Sequence, residues 1–122
     1  MSNKSILTVD DSPIVAERLE VILKGSTDTS LLRHAGDYTS ALERMTEQAP
    51  DIVLLDIHLP GRSGIALLQF IKTHYPSVVV IMITNQADEF YRNICKKMGA
   101  DYFIDKSKDF EQIPTIISSL PE

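Results

Sequence analysis

Short, strongly apolar stretches alternate along the chain with stretches in which apolar residues have helical spacing. Five strands are predicted, over residues 5–10, 29–35, 51–56, 78–83 and 101–105. Five helices are predicted to follow them, over residues 13–24, 37–48, 64–74, 87–98 and 113–120. Such alternation is typical of a parallel sheet whose right-handed crossovers put helices on both faces. We therefore predict an α/β, doubly wound fold with a five-stranded parallel sheet, built as (βα)5.

Capping and turn residues set several of these boundaries. Ser12 is suited to cap the first helix, and Pro13 suits its first turn, where a missing N–H costs nothing. Pro114 would cost about 3 kcal/mol or more in a helix interior. The last helix is therefore predicted to begin near Ile113, after a turn over residues 108–111.

The apolar pattern also predicts where each element lies in the fold. Arg33 interrupts the second strand and favours an edge position, whereas the wholly apolar stretch 78–83 favours a central one. In the fourth helix, helical spacing predicts an inward stripe that includes Phe90 and Met98. Cys95 on the same helix is predicted to be a small core or near-surface residue.

Composition limits the classes of protein to consider. The 122 residues suit a single domain, 1–122, and 43% of them are apolar, which is enough for a core. The formal net charge is −5 and the longest basic run is Lys96-Lys97, so the domain is not expected to bind nucleic acid directly. A single cysteine is typical of a reducing compartment, and no segment has the ~18 apolar residues of a membrane span. We predict a soluble, cytoplasmic domain without membrane contact.

Reactive side chains follow four of the five predicted strands. They are Asp10 and Asp11, Asp56, Thr84 and Lys106. Alone, each has an ordinary explanation as a helix cap, a turn residue, a β-branched strand residue or a solvated lysine. The carboxyl ends of parallel strands, however, lie side by side at one edge of a sheet, where ligands bind. Together these residues predict one pocket with three carboxylates, a hydroxyl and an ammonium.

This set of groups points to a divalent metal and a phosphoryl group. Carboxylate oxygens are the ligands that Mg²⁺ and Mn²⁺ prefer, and no His or Cys pair has zinc spacing. A carboxylate close to such a metal can attack phosphorus, and Asp56, followed by a loop shaped by Pro60 and Gly64, is the candidate. The Thr84 hydroxyl could donate to a phosphoryl oxygen. Lys106 would offset the repulsion of the carboxylates and contact the transferred group.

The chain resembles the response regulator receiver domain, the phosphoacceptor module of two-component signalling, over essentially its whole length. Four segments carry the resemblance: VDDSP at 9–13, LLDIHLPGRSG at 54–64, IMIT at 81–84 and GADYFIDKS at 99–107. It implies the flavodoxin-like strand order 2-1-3-4-5 and Asp56 as the phosphorylation site. Thr84 and Lys106 would contact the phosphoryl group. Mg²⁺, or Mn²⁺, would be held by Asp11 and Asp56, by Asp10 through water, and by the backbone carbonyl of His58.

The resemblance also implies a switch and its partners. Phe103 stands where the family carries its switch aromatic, and movement of Thr84 towards a phosphate would vacate space for the Phe103 ring. The surface of helix 4, strand 5 and helix 5 would then change. A histidine kinase or phosphotransfer protein would supply the phosphate, and a downstream protein, an effector domain or a second copy would bind the changed surface. The domain would not be an enzyme beyond self-catalysed phosphoryl transfer and autodephosphorylation.

Several positions near the site depart from the usual family pattern. Ser107 stands where proline is usual, so the cis peptide that the family carries after Lys106 is left open, because a non-proline cis bond costs about 2.5–4 kcal/mol. Asn85 is larger than the small residue usual after the threonine. His58 and Gln86 lie where side chains overhang the phosphoaspartate. We predict that His58, Asn85 and Gln86 tune the lifetime of the phosphate.

Two other functions are weighed against this one. Phosphohydrolases that form an aspartyl phosphate usually carry a second Asp two residues after the nucleophile, and His58 occupies that position here. A degenerate receiver would act by protein contact without phosphorylation, although all five site residues are present. A stand-alone regulator and the receiver of a longer protein are both compatible with the sequence.

Overall fold

The computed structural model describes residues 4–24, 32–85, 89–107 and 109–120. Strands and helices alternate through these residues, and a 3-10 turn at Phe110–Gln112 precedes the last helix. The strands are β1 (Ile6–Val9), β2 (Leu32–Ala35), β3 (Ile52–Asp56), β4 (Val79–Thr84) and β5 (Tyr102–Asp105). The helices are α1 (Pro13–Leu23), α2 (Tyr38–Glu47), α3 (Gly64–His74), α4 (Glu89–Lys97) and α5 (Ile113–Ser119). None of these helices is long and apolar enough to cross a membrane.

All strand pairs in the described residues are parallel, and the sheet order is β2-β1-β3-β4-β5. The predicted doubly wound fold and its strand order are confirmed. β2, which contains Arg33, is an edge strand as predicted. β4 is an interior strand, but β3 rather than β4 occupies the middle of the sheet. Both strands are apolar up to their last residue, so the pattern does not distinguish them.

Two hydrophobic clusters cover the two faces of the sheet, as strand alternation requires. One face packs against α2, α3 and α4 through β-strand residues that include Leu7, Val53, Val80 and Met82. The other face packs against α1 and α5 through the alternate residues of the same strands, which include Ile6, Leu54, Ile81 and Ile83. Both faces of β1, β3 and β4 are therefore buried, and the only polar groups these strands present are at their ends and at Thr8.

The helix boundaries follow the predicted capping chemistry. The Ser12 hydroxyl accepts a hydrogen bond from the Val15 backbone N–H at 3.4 Å, and Pro13 occupies the first turn of α1. Pro114 is likewise in the first turn of α5, where it breaks no helical hydrogen bond. The Lys106–Ser107 peptide bond, left open by the sequence, is trans. The parts of the predictions that concern residues 29–31, 86–88 and 108 lie outside the described residues. They include Gln86, the start of the predicted fourth helix and the start of the predicted turn 108–111.

The buried face of α4 differs from the predicted one. Phe90 is 67% exposed, whereas Tyr91 is half-buried and Cys95 is fully buried. The stripe is therefore displaced by one residue at its start, because Phe90 and Tyr91 are adjacent and both fit helical spacing with the residues that follow. The prediction for Cys95 is confirmed, and burial raises the pKa of its thiol.

Lys72 and Asp101 join α3, β4 and β5 at the end of the sheet opposite the predicted site. The Lys72 ammonium donates to Asp101 Oδ2 at 2.8 Å and to the Val78 carbonyl at 2.7 Å. The same Asp101 oxygen accepts from the Val80 N–H at 2.8 Å. These contacts hold β5 in register with β4, and this register places Asp105 opposite Thr84 and brings Lys106 to the carboxyl edge.

Candidate functional site

The residues predicted to form the site meet at the carboxyl edge of the sheet. Asp10 directly follows β1, Asp56 is the last residue of β3, and Thr84 is the last residue of β4. Lys106 directly follows β5, and its backbone N–H donates to the Thr84 carbonyl at 2.9 Å. Parallel pairing in register therefore brings together residues that are up to 96 positions apart in the chain.

A buried lysine connects two of the carboxylates. The Lys106 ammonium donates to Asp10 Oδ2 at 2.6 Å and to Asp56 Oδ2 at 2.9 Å. Asp10 is completely buried, Asp56 is 6% exposed and Lys106 is 9% exposed. Buried charges are tolerated only where they are paired and hydrogen-bonded, so each of these groups depends on the others.

The same contacts decide the protonation of the lysine and of the central carboxyl. Burial raises the pKa of the Asp56 carboxyl above its ordinary value, although the hydrogen bond from Lys106 opposes this effect. Burial alone would lower the pKa of Lys106, but its hydrogen bonds to Asp10 and Asp56 outweigh burial and raise that pKa. The contacts with Asp10 and Asp56 therefore favour the charged ammonium of Lys106, whereas burial disfavours the charged carboxylate of Asp56.

Backbone contacts fix the carboxylate of Asp56 and the loop that follows it. The His58 N–H donates to Asp56 Oδ1 at 3.3 Å, and the Gly64 N–H donates to the Ile57 carbonyl at 2.7 Å. A Cβ atom on Gly64 would collide with the Asp56 backbone carbonyl and approach the Ile57 Cα to 2.9 Å. A glycine at this position therefore permits the start of α3 to pack directly against the end of β3.

Gly64→Ala is expected to lower the free energy of unfolding by about 1–3 kcal/mol, the usual cost of overpacking. The colliding atoms belong to the backbone, so the end of β3 must move and Asp56 with it. Urea unfolding would measure the loss. Gly36→Ala is the matched control, because nothing lies within 4 Å of its added Cβ. Equal stability of the two variants would contradict the packing argument.

The three carboxylates form a donor set that fits Mg²⁺ or Mn²⁺. Asp10, Asp11 and Asp56 each offer an oxygen atom, and these atoms all lie within 4.8 Å of one another. Asp11 is exposed, whereas both oxygens of Asp10 accept hydrogen bonds, Oδ1 from the Ser12 N–H at 2.8 Å and Oδ2 from Lys106. Oxygen-only donors with an open side suit a hard cation that keeps part of its water shell. The role of the His58 carbonyl as a ligand stays a prediction.

An open cavity of about 370 Å³ lies in front of these carboxylates. Its walls are formed by Asp10, Asp11, Ser12, Val15, Asp56, His58, Asn85 and Lys106. Ser12 and Val15 were not predicted as parts of the site. Ser12 could have been found from its position two residues after Asp10, where a backbone N–H commonly donates to an Asp side chain. Val15 carries no such signal, because its apolar side chain fits the inner stripe of α1 equally well.

Thr84 and Phe103 lie beside the cavity rather than in its wall. Thr84 is fully buried, and Phe103 is half-buried with the guanidinium carbon of Arg92 4.8 Å from its ring centroid. Because Met82 is paired with Phe103, and Thr84 is two residues after Met82, both side chains belong to the sheet face covered by α4. The two residues predicted to form the switch are therefore diagonal neighbours on adjacent strands.

Comparisons with known proteins agree with this geometry. The sequence profile of the response regulator receiver domain matches residues 6–118. The Fimbriae Z protein of Salmonella typhimurium is 30% identical over 113 residues, which are 93% of this chain and 54% of that protein. The DNA-binding transcriptional activator EvgA of Escherichia coli is 27% identical over 93% of this chain and 55% of its own length. The chain thus spans about half the length of these curated relatives.

A solved receiver domain has a similar structure over almost its full length. The receiver domain of NtrX from Brucella abortus is 31% identical, and the match covers 93% of this chain and 94% of that one with a TM-score of 0.83.

Proposed function

The chain belongs to the family of response regulator receiver domains, and from this premise we propose that it is a phosphoacceptor switch of a two-component phosphorelay. Asp56 would receive the phosphoryl group from a histidine kinase or a phosphotransfer protein. The observation that carries this proposal is the buried Lys106 that joins Asp10 and Asp56 at the floor of an open acidic cavity. A structural ion pair alone would not require a third carboxylate, Asp11, facing that cavity.

Phosphoryl transfer to Asp56 needs positioning and charge compensation more than it needs covalent chemistry. A carboxylate oxygen of Asp56 would form the new P–O bond while the P–N bond of the phosphohistidine breaks and its electron pair stays on the imidazole. Lys106, already 2.9 Å from Asp56, would donate to a phosphoryl oxygen. Asp10 would keep the ammonium in place through its contact of 2.6 Å.

A divalent cation would complete the charge balance at this site. Asp11 and Asp56 are its proposed ligands, with Asp10 contributing through water, and the bound ion would neutralise charge on the phosphoryl oxygens. This assignment is supported by the oxygen-only donor set and by the excess of carboxylates over the one ammonium. Mg²⁺ is the proposed ion, with Mn²⁺ as a substitute.

We propose that phosphorylation changes the surface formed by α4, β5 and α5. Thr84 would move towards the phosphate, and the Phe103 ring would occupy the space that it vacates. Their places as diagonal neighbours on one face of the sheet support this coupling. Such a change is a shift of population between two packings, biased by a local change of charge.

The changed surface would contact a downstream protein, an effector domain or a second copy of the chain. The relative EvgA is a DNA-binding transcriptional activator, and this chain matches about half of it. An output through a separate domain or protein is therefore consistent with the comparison. The net charge of −5 argues against direct binding of nucleic acid by this domain. We propose a cytoplasmic signalling role rather than a metabolic enzyme.

Mg²⁺-dependent labelling by a small phosphodonor tests the function. With acetyl phosphate and Mg²⁺, we expect one phosphoryl group per chain, seen by intact mass, and its loss when EDTA is added before the donor. Peptide mapping should locate the group on Asp56. Rapid turnover of many phosphoesters would indicate a phosphohydrolase instead. No labelling under any condition would indicate a domain that acts by contact alone.

Beryllium fluoride is expected to report the proposed switch. As a phosphoryl mimic on Asp56, it should change amide resonances at the carboxyl edge and also across α4 and β5, because Thr84 and Phe103 connect the two regions. Heteronuclear NMR spectra with Mg²⁺, with and without the mimic, would measure this. Changes confined to the loops around the cavity would contradict the role of Phe103.

A further inference from the structure

The ring of His58, a residue that lines the cavity, makes an edge contact with an aromatic side chain of α4. The ring centroids of His58 and Tyr91 are 5.9 Å apart and their planes are inclined by 84°. This T-shaped arrangement is one that aromatic pairs favour. It is a direct contact between α4 and a residue that lines the cavity in front of Asp56.

The two partners in this contact differ in burial. Tyr91 is half-buried and packs against the hydrophobic cluster beneath α4, one helical turn before the fully buried Cys95. The His58 side chain is exposed and projects from a loop. Tyr91 is therefore the partner of this contact that packs against the core.

The position of His58 matters because its backbone and side chain both adjoin the acceptor. Its N–H donates to Asp56 Oδ1, and His58 is one of the residues that line the cavity. We propose that Tyr91 is a positioning residue that holds the His58 ring at the mouth of this cavity and thereby limits the access of water to a phosphate on Asp56. This inference rests on the proposed function of Asp56.

The step affected is hydrolysis of the aspartyl phosphate. A water oxygen forms a bond to phosphorus while the bond between phosphorus and the Asp56 oxygen breaks, and its electron pair returns to the carboxylate. The proton lost by water leaves with phosphate or solvent. A ring that partly covers the phosphorus slows the approach of water, so loss of its anchor should accelerate this step.

Autodephosphorylation rates of four variants would test the inference. The variants are Tyr91→Leu, Tyr91→Phe, His58→Ala and the double variant Tyr91→Leu/His58→Ala, each labelled with acetyl phosphate and then freed of donor in Mg²⁺ buffer. We expect Tyr91→Leu to shorten the phosphate lifetime about two- to tenfold, the range that an aromatic pair supports. Tyr91→Phe should restore the wild-type lifetime, because the contact uses the ring. The double variant should be no faster than His58→Ala.

Two further measurements separate positioning from a general loss of structure. The carbon-bound imidazole protons of His58 should shift in the NMR spectrum of Tyr91→Leu and return in Tyr91→Phe, because the tyrosine ring current acts on them. Tyr102→Leu is the matched control, since Tyr102 is a half-buried tyrosine that packs against the opposite face of the sheet. Its phosphate lifetime should equal that of the wild type.

Different results would overturn the role of Tyr91 and the proposed role of Asp56 as the phosphate acceptor. An unchanged or longer phosphate lifetime in Tyr91→Leu, or effects of Tyr91→Leu and His58→Ala that simply add, would overturn the role of Tyr91 while leaving Asp56 as the acceptor. A wild-type chain that cannot be labelled at all would instead overturn the proposed function.

Discussion

Asp56→Asn is expected to abolish labelling by acetyl phosphate while leaving the fold intact. The amide lacks the anionic oxygen that would attack phosphorus. Removing even a single stabilising donor from an active site costs about 10²–10³-fold in rate, and loss of the nucleophile should cost more. The fold should survive because the amide has the same shape and its oxygen can still accept from Lys106, which lies 2.9 Å from Asp56 in the wild type.

Intact mass spectrometry with a histidine kinase or a small donor would measure the labelling, and circular dichroism would verify the fold. Glu47→Gln is the matched control, because it makes the same change on a carboxylate that is 59% exposed on α2, away from the cavity. This control should label normally. Substantial labelling of Asp56→Asn would remove Asp56 from its proposed role, whatever the behaviour of the control.

Lys106→Met is expected to destabilise the metal-free protein by up to about 3–5 kcal/mol, the usual cost of removing one partner from a buried ion pair. Methionine keeps an unbranched side chain of similar length but leaves Asp10 and Asp56 without their ammonium. Mg²⁺ should recover part of this loss, because an ion that binds only the folded state stabilises it by mass action. Labelling with acetyl phosphate should also fall, since Lys106 no longer compensates the phosphoryl charge.

The loss of stability caused by Lys106→Met should become smaller as the pH falls. Burial raises the pKa of Asp56, and the variant loses the opposing hydrogen bond from Lys106. A carboxyl with a raised folded-state pKa binds protons more readily in the folded state than in the unfolded state, so stability increases as the pH falls. The difference in free energy of unfolding between Lys106→Met and the wild type should therefore be largest near neutral pH and smaller in mild acid.

Urea unfolding in EDTA and in Mg²⁺, at neutral and acidic pH, would measure these effects. Lys72→Met is the matched control, because Lys72 also pairs with a carboxylate, Asp101 at 2.8 Å, but at the other end of the sheet. Its loss of stability should not respond to Mg²⁺. A Lys106→Met variant as stable as the wild type in EDTA would show that the buried contacts contribute little.

The elements of the fold were predictable because each depends on local pattern. Buried parallel strands have unbroken apolar runs, and surface helices have apolar residues at helical spacing, so both can be identified without knowledge of their neighbours. The exception in α4 arises where the local pattern is ambiguous. Phe90 and Tyr91 fit the helical stripe of α4 equally well, and only the packing against the sheet buries Tyr91 and exposes Phe90.

The choice of site residues was also predictable, because parallel strands share a carboxyl edge. Asp10, Asp56, Thr84 and Lys106 lie at that edge wherever the strands are placed in the sheet. The individual role of each residue was harder to predict from the sequence. The pattern in the chain does not separate Asp10 from Asp11, and only the family resemblance gave them different roles at the metal. The structure buries Asp10 completely and leaves Asp11 exposed to the cavity.

The sequence by itself thus determined the fold class, the strand-end positions of the reactive groups and their chemical types. Only the tertiary structure decided which groups touch: Lys106 between Asp10 and Asp56, Gly64 against the Asp56 backbone, and Tyr91 against His58. The physical reason is that periodicity is a local property, whereas these contacts join different elements of the fold. Their distances depend on strand order, register and the rotation of each helix, which are properties of the packed core as a whole.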